Sequence, residues 1–167
     1  MSYQIRKATW DDFSRILQIY AEAREYMRQS GNPNQWWDYH PAESLLREDI
    51  QAQKLNVCVE DDEILGVFYY EQGDDPSYRR IDQGKWLNEE PYGVIHRIAS
   101  AHRGRGVASF CFDWALQQCP QLRIDTHEDN LAMQKALEKN GFVRCGIIYI
   151  FNGDERIAYH KDGRKNG

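Results

Sequence analysis

The stretch from Tyr92 to Ala115 constrains this chain more than any other part of it. Tyr92–Ala101 is rich in apolar and β-branched residues and predicts a strand. His102-Arg103-Gly104-Arg105-Gly106 interrupts it, and Val107, Phe110, Cys111, Trp114 and Ala115 then mark one apolar face of a helix. A strand that leaves its sheet through a helix returns parallel to itself, and Leu122–Thr126 is the next strand in line. One parallel pair is therefore built into the middle of the chain.

The remaining elements surround that unit. Gln4–Ala8 predicts an opening strand, and Thr9-Trp10-Asp11-Asp12 resembles a capping box with Asp in the last position instead of Glu. Phe13, Ile16, Leu17 and Tyr20 follow at helical spacing, carrying a first helix to about Gln29, where Ser30-Gly31-Asn32-Pro33-Asn34 breaks it. Pro41 suits the first position of a second helix with Leu45, Leu46 and Ile50 on one side. Asn56–Glu60 and Glu63–Tyr70 flank a turn at Asp61-Asp62 and predict a hairpin. Gln72–Pro91 is polar, too long for a tight connection, and reads as a functional flap. Leu131–Asn140 is a short helix closed by Gly141. Phe142–Phe151 and Arg156–His160 are strands joined at Asn152-Gly153, the strongest hairpin signal in the chain. This order implies one α/β (α+β) domain over residues 1–167 with its core at about 3–160. Its sheet is mixed and mostly antiparallel, of about six to seven strands flanked by about four helices.

Composition narrows the function classes. A chain of 167 residues with 41% hydrophobic content can bury one self-sufficient core. No apolar run approaches the roughly 20 residues of a membrane span, and Met1–Arg6 lacks the layout of a secretory signal, so a cytoplasmic protein with no membrane partner is expected. Cys58, Cys111, Cys119 and Cys145 form no metal-type cluster with histidine and read as reduced thiols, so no metal is expected. A net charge of −5 opposes nucleic-acid binding, while Arg103, Arg105 and Arg79-Arg80 are local basic spots suited to a small anion.

The Gly-containing loop fits that anion. A helix N-terminus presents unpaired N–H groups and a positive dipole end, Gly104 and Gly106 permit close approach, and Arg103 and Arg105 can add charge-assisted contacts. The alternative is an ordinary strand-to-helix turn with solvated arginines. A dinucleotide fingerprint is a poorer fit, because Ser109 stands where the third glycine belongs and some 90 residues of other architecture precede the motif.

Arg103-Gly104-Arg105-Gly106-Val107-Ala108 resembles the Arg/Gln-x-x-Gly-x-Gly/Ala signature of GNAT-superfamily acetyltransferases. Asn130-Leu131-Ala132, the run Ala136–Phe142 and the opening Ile5–Thr9 with Asp12 are similar to that family's other segments, in the same order, over about residues 3–160. The resemblance implies transfer of an acetyl group from acetyl-CoA to an amine, with the pyrophosphate on the backbone of residues 103–108, including Val107 and Ala108. It implies that the pantetheine arm lies along His96, Ile98 and Ser100, with Asn130 near the cofactor or capping its helix, or both. It also implies that the His96 N–H holds the thioester carbonyl.

Proton transfer and acceptor binding are less determined. An alkyl amine with pKa near about 10.4 needs a base at neutral pH. His96 is the first candidate for it, with Tyr92, Glu89, Glu90 or a water chain as alternates, and a histidine merely satisfied in the sheet as the bland reading. Many relatives carry a tyrosine as general acid where this chain has Leu137; Tyr149 is the substitute considered, or the thiolate leaves unassisted. Trp36, Trp37 and Tyr39, with Asp38, suggest an aromatic wall and anionic anchor for a small-molecule or peptide amine, over which Trp86, Glu89 and Glu90 would close. The alternative places one Trp in the core and the other over the loop. A CoA-binding module without catalysis is the second functional reading, and the last hairpin offers an edge for a homodimer.

Overall fold

A computed structural model of the chain describes residues 2–164. It contains β1 (Gln4–Lys7), α1 (Phe13–Gln29), α2 (Glu43–Gln51), β2 (Leu55–Glu60), β3 (Glu63–Gln72) and β4 (Gly93–Ser100). There follow α3 (Val107–Gln118), β5 (Gln121–Thr126), α4 (Leu131–Lys139), β6 (Val143–Tyr149) and β7 (Glu155–Asp162). One seven-stranded sheet has the order β1-β2-β3-β4-β5-β7-β6, with β4–β5 parallel and every other pair antiparallel. None of the described helices is long and apolar enough to cross a membrane.

Local chemistry explains most boundaries. Asp12 accepts hydrogen bonds from the Thr9 N–H at 2.8 Å and the Thr9 hydroxyl at 3.1 Å, so the shortened capping box works. Arg6 closes on the same carboxylate at 2.8 Å and holds it below the usual carboxylate range. Asp61 and Asp62 both take left-handed backbone, φ 51° and 66°, which the two-residue turn between β2 and β3 requires and which aspartate tolerates better than most residues. The second helix begins at Glu43 with Ala42 as its cap, two residues later than Pro41 suggests.

Helices cover both faces of the sheet. Ile16, Ile19, Tyr20, Leu46 and Ile50 of α1 and α2 pack on Leu55, Val57 and Val67. Cys111, Phe112, Ala115 and Leu137 of α3 and α4 pack on Phe68, Ile95, Leu122, Ile124 and Tyr159 across the sheet. All four cysteines are buried and unpaired as disulfides.

The polar stretch after β3 is no flap. Tyr78 and Trp86 are buried against Val94, Cys145, Ile148 and Ala158, and Asp82 pairs with Ile147 as a one-residue bridge to β6. Two aromatic side chains anchor a segment whose average composition is polar. Trp86, expected to close over an acceptor, instead donates its indole N–H to the Tyr78 carbonyl at 3.0 Å.

His160 adjoins this cluster and sets a testable pH dependence. It is fully buried, accepts the Leu87 N–H on Nδ1 at 3.2 Å and lies with Nε2 2.8 Å from Gln121 Oε1. Burial, reinforced by Arg123, holds its pKa down to about 4. An unfolded histidine titrates near about 6.5, so between those values the unfolded chain binds the extra proton and acid favours unfolding. Stability should fall by up to ~3 kcal/mol as pH drops from about 6.5 to about 4. Urea unfolding across that range in wild type and His160→Gln checks it; an equally steep fall in the variant removes His160 as the cause.

Candidate active site

β4 is the element that makes a site. It pairs with β5 only at Gly93↔Leu122 and Val94↔Arg123, and beyond Val94 the two strands part. On the other side, Tyr69↔His96 and Val67↔Ala99 leave Arg97 and Ile98 facing Phe68 alone, which is a β-bulge. Arg97 takes φ 55°, left-handed backbone that a non-glycine residue holds only when its surroundings impose it. The surroundings do so here. Tyr20 donates its hydroxyl to the Arg97 carbonyl at 2.6 Å, Asp49 of α2 accepts the guanidinium at 2.9 Å, and Tyr69 lies beneath it at 4.4 Å.

The bulge breaks the regular alternation of a strand along His96, Ile98 and Ser100. Ile95, His96, Arg97 and Ile98, four successive residues, all line one cavity of about 310 Å³, although a regular strand would turn every second side chain away. Trp36, Trp37, Tyr39 and His40 from the α1–α2 loop form another wall, and Asp125 and Thr126 of β5 and Arg156 of β7 also line the cavity. Trp36 is buried edge-on against Tyr20, and Trp37 stacks flat on Tyr39 with centroids 5.5 Å apart. The two alternatives for these tryptophans coexist, since both line the cavity. Burial, with Arg97 and Arg156 adding repulsion, holds the His40 pKa down to about 4.

A second cavity of about 320 Å³ lies under the Gly-containing loop. Ser100, Arg103, Gly104, Arg105, Gly106, Val107 and Ala108 line it, with Tyr26 of α1 and Lys139 of α4. Gly104 and Gly106 both have φ 72°, and a Cβ on either would meet no protein atom within 4 Å. The N–H groups of Arg103, Gly104, Arg105 and Gly106 donate to no acceptor among the described residues. The arginine side chains behave differently from each other. Arg105 is tied to Glu60 at 2.9 Å and its carbonyl accepts the Tyr3 hydroxyl at 2.6 Å, so of its backbone only the N–H is left without an acceptor, whereas Arg103 lies over the Tyr26 ring at the cavity. Met27, Ile98, Asn130 and Met133 line both cavities, which therefore adjoin. Asn130 caps α4 by accepting the Met133 N–H at 3.0 Å, and its amide donates to Gln35 at 2.9 Å.

His96 sits beside that junction between two carboxylates. Its Nε2 is 2.7 Å from Asp75 Oδ2, and its Nδ1 is 3.9 Å from Asp125 Oδ2. Burial works to raise the Asp75 pKa, but the His96 bond and charge and the Ser77 N–H overcome it and hold the carboxyl below its usual value. An ionised Asp75 accepts a hydrogen bond from Nε2–H, so in the neutral ring the lone pair lies on Nδ1, on the side of Asp125. Tyr78 donates to Asp125 Oδ2 at 2.7 Å and fixes it from behind. Asp75 is in turn held by its own N–H, which donates to the Tyr92 hydroxyl at 2.9 Å.

Several expected site residues lie elsewhere. Tyr149 lines neither cavity; its hydroxyl donates to Asp82 at 2.9 Å and Arg80 covers its ring at 4.5 Å. Glu90 pairs with Arg164, and Glu89, Glu90 and Tyr92 line neither of these two cavities. Leu137 is fully buried in the core and lines neither cavity. Asp75, Asp125 and Arg156 are the residues that sequence reasoning missed. Only Asp75 left a local signal, as the Asp before Pro76 whose side chain accepts the Ser77 N–H at 2.9 Å.

The family model for the acetyltransferase (GNAT) domain matches residues 3–143. A GNAT-family acetyltransferase from Streptococcus agalactiae has a solved structure that is 31% identical, covering 99% of this chain and 96% of that one at TM-score 0.88. A putative acetyltransferase from Staphylococcus aureus is 25% identical over 95% of this chain and 98% of its own, at TM-score 0.68. A putative acetyltransferase from Salmonella typhimurium, solved with its cofactor acetyl-CoA, shares the fold at TM-score 0.62 and 16% identity, covering 100% and 97%. No curated protein sequence matches. With its glycine loop at the head of α3, its parted β4 and β5, and a domain match over most of its length, the chain belongs to the GNAT acetyltransferase family.

Proposed function

We propose that this chain transfers an acetyl group from acetyl-CoA to a primary amine of a small molecule or peptide. One observation carries the reading: the loop cavity and the aromatic cavity adjoin at Ile98, Asn130 and Met133, with Ile98 two residues along β4 from a histidine held between carboxylates. The first cavity suits CoA. Its unpaired amides and open glycines match a diphosphate at a helix N-terminus, and the unpaired edge of β4 beyond Val94 offers backbone groups to an extended amide arm. The Salmonella relative of the same fold holds acetyl-CoA, which supports the same use here.

Acetyl-CoA supplies the activated acetyl thioester. The acceptor nitrogen bonds to the acetyl carbon, the C–S bond breaks with its electrons on sulfur, and the amine proton passes to His96 Nδ1. Asp75 keeps that nitrogen free and stabilises the imidazolium that results. With Leu137 buried and Tyr149 facing Asp82, the thiolate departs unassisted, which a thiol of pKa near about 8.5 tolerates.

Incubation with acetyl-CoA and a panel of amino acids, polyamines, aminoglycosides and peptides tests the reading by thiol release. Turnover with any of them supports it. Tight CoA binding with none of them turned over points to a CoA-binding module instead, the reading favoured by Leu137. Asp75→Asn should lower kcat by ~10- to 100-fold while leaving acetyl-CoA affinity in place, because it frees the ring tautomer without touching the loop. Wild-type kcat in Asp75→Asn would remove Asp75 from the mechanism.

A further inference from the structure

Arg156 is the part of the aromatic cavity that transfer to a plain amine leaves without a use. It lies on β7, is 4% exposed, and lines the same cavity as His96. Its guanidinium donates to two main-chain carbonyls, Glu155 at 2.9 Å and Gln35 at 3.2 Å. Among the described residues no carboxylate comes within ion-pair distance of it, whereas Arg97 in the same cavity is matched by Asp49. Asp125 and Asp154 attract it only from beyond ion-pair distance, and a buried cation without a direct ion pair is costly; an apolar side chain of similar size would fill the space more cheaply. Thr126 lines the same cavity fully buried, with a hydroxyl that has no partner. Opposite charge stands by His96, where Asp75 and Asp125 lie. The cavity thus has an anionic end and a cationic end within about 310 Å³, at the small end of ligand sites.

We propose that the acceptor is an amino acid or a similarly small molecule bearing an amine and a carboxylate: the amine lies between His96 and Asp125, and Arg156 and Thr126 take the carboxylate. This rests on the acetyl-transfer reading of the same site and names its substrate class. A guanidinium supplies the forked donors that a carboxylate accepts in pairs, and the threonine hydroxyl adds a third. A polyamine would bring a second cation to Arg156 and is disfavoured on charge alone.

Thiol release with free amino acids and their matching carboxamides, each pair sharing amine and side chain, tests this. The best amino acid should exceed its carboxamide in kcat/KM by on the order of 100-fold, and Arg156→Gln should collapse that ratio to about threefold or less. Carboxamides used as well as acids, or an undiminished ratio in Arg156→Gln, overturns the proposal. Thr126→Val decides the matter if Arg156→Gln does not fold: a ratio lowered about fivefold supports it, and an unchanged ratio counts against it. If no amine releases thiol, the acetyl-transfer reading fails, and calorimetry with CoA-saturated protein judges the carboxylate site separately. Binding of amino acids over carboxamides that Thr126→Val weakens upholds the site, and equal binding of both overturns it.

Discussion

Replacing Gly106 with leucine is expected to abolish measurable binding of acetyl-CoA while leaving a folded protein. Gly106 stands at φ 72° immediately before the first residue of α3, and a Cβ there meets open space, not protein. The cost to folding is the left-handed backbone, about 1–2 kcal/mol, against a total stability of roughly 5–15 kcal/mol. For a domain of this size that corresponds to a Tm lower by about 2–8 °C, with the far-UV spectrum unchanged. The cost to binding is larger, because the new side chain projects into the space where a diphosphate would meet the unpaired amides of residues 103–106. Dissociation constants should rise by on the order of 100-fold or more, as expected when charge-assisted contacts are displaced. Gly153 provides the control. It has φ 88°, equally open surroundings and no place in the loop cavity, so Gly153→Leu should show a similar Tm loss with unaltered CoA affinity. Retained affinity in Gly106→Leu would remove the loop from CoA binding.

That loop was legible in the sequence because its chemistry is local. Two glycines, a preceding strand and an apolar helical face lie within one short segment, and nothing distant is needed to read them. The turns at Asp61-Asp62 and Asn152-Gly153 were readable for the same reason: residue types that tolerate left-handed backbone announce such turns. The environment of His96 was not local. Asp75 reaches it from a loop pinned by Tyr78 and Trp86, and Asp125 from the neighbouring strand β5. Neither pairing has a sequence spacing to betray it. The bulge is the clearest case. Arg97 carries none of the residue types that signal left-handed backbone, and its conformation is imposed by Tyr20 and Asp49 on two helices. Alternation therefore does not describe β4, since Ile95 and Arg97 line the cavity beside His96 and Ile98. Tyr149 misled in the opposite way. It sits on a strand that forms as expected, but β6 is the sheet's outer edge, where Asp82 and Arg80 take up the ring and hydroxyl.

The chemistry itself is addressed by His96→Gln. Glutamine can still donate an N–H toward Asp75, so the neighbouring carboxylate keeps a partner and the fold has little reason to change. It cannot accept and hold a proton at the position of Nδ1. Turnover at pH 7 should fall by ~10²- to 10⁴-fold, the range that a positioned general base supplies. Affinity for acetyl-CoA should stay within about twofold, because His96 does not line the loop cavity. The sign of the pH response separates a lost base from a distorted site. Without a base, only acceptor molecules already deprotonated react, and their fraction rises about tenfold per pH unit below the amine pKa. The variant's rate should therefore climb steadily from pH 6 to pH 9, and the gap to wild type should narrow as free amine accumulates. A distorted site would leave the gap constant at every pH. Wild-type rates in His96→Gln from pH 6 to pH 9 would show that the proton leaves by another route, with Asp125, within 3.9 Å of the same ring, as the group to substitute next.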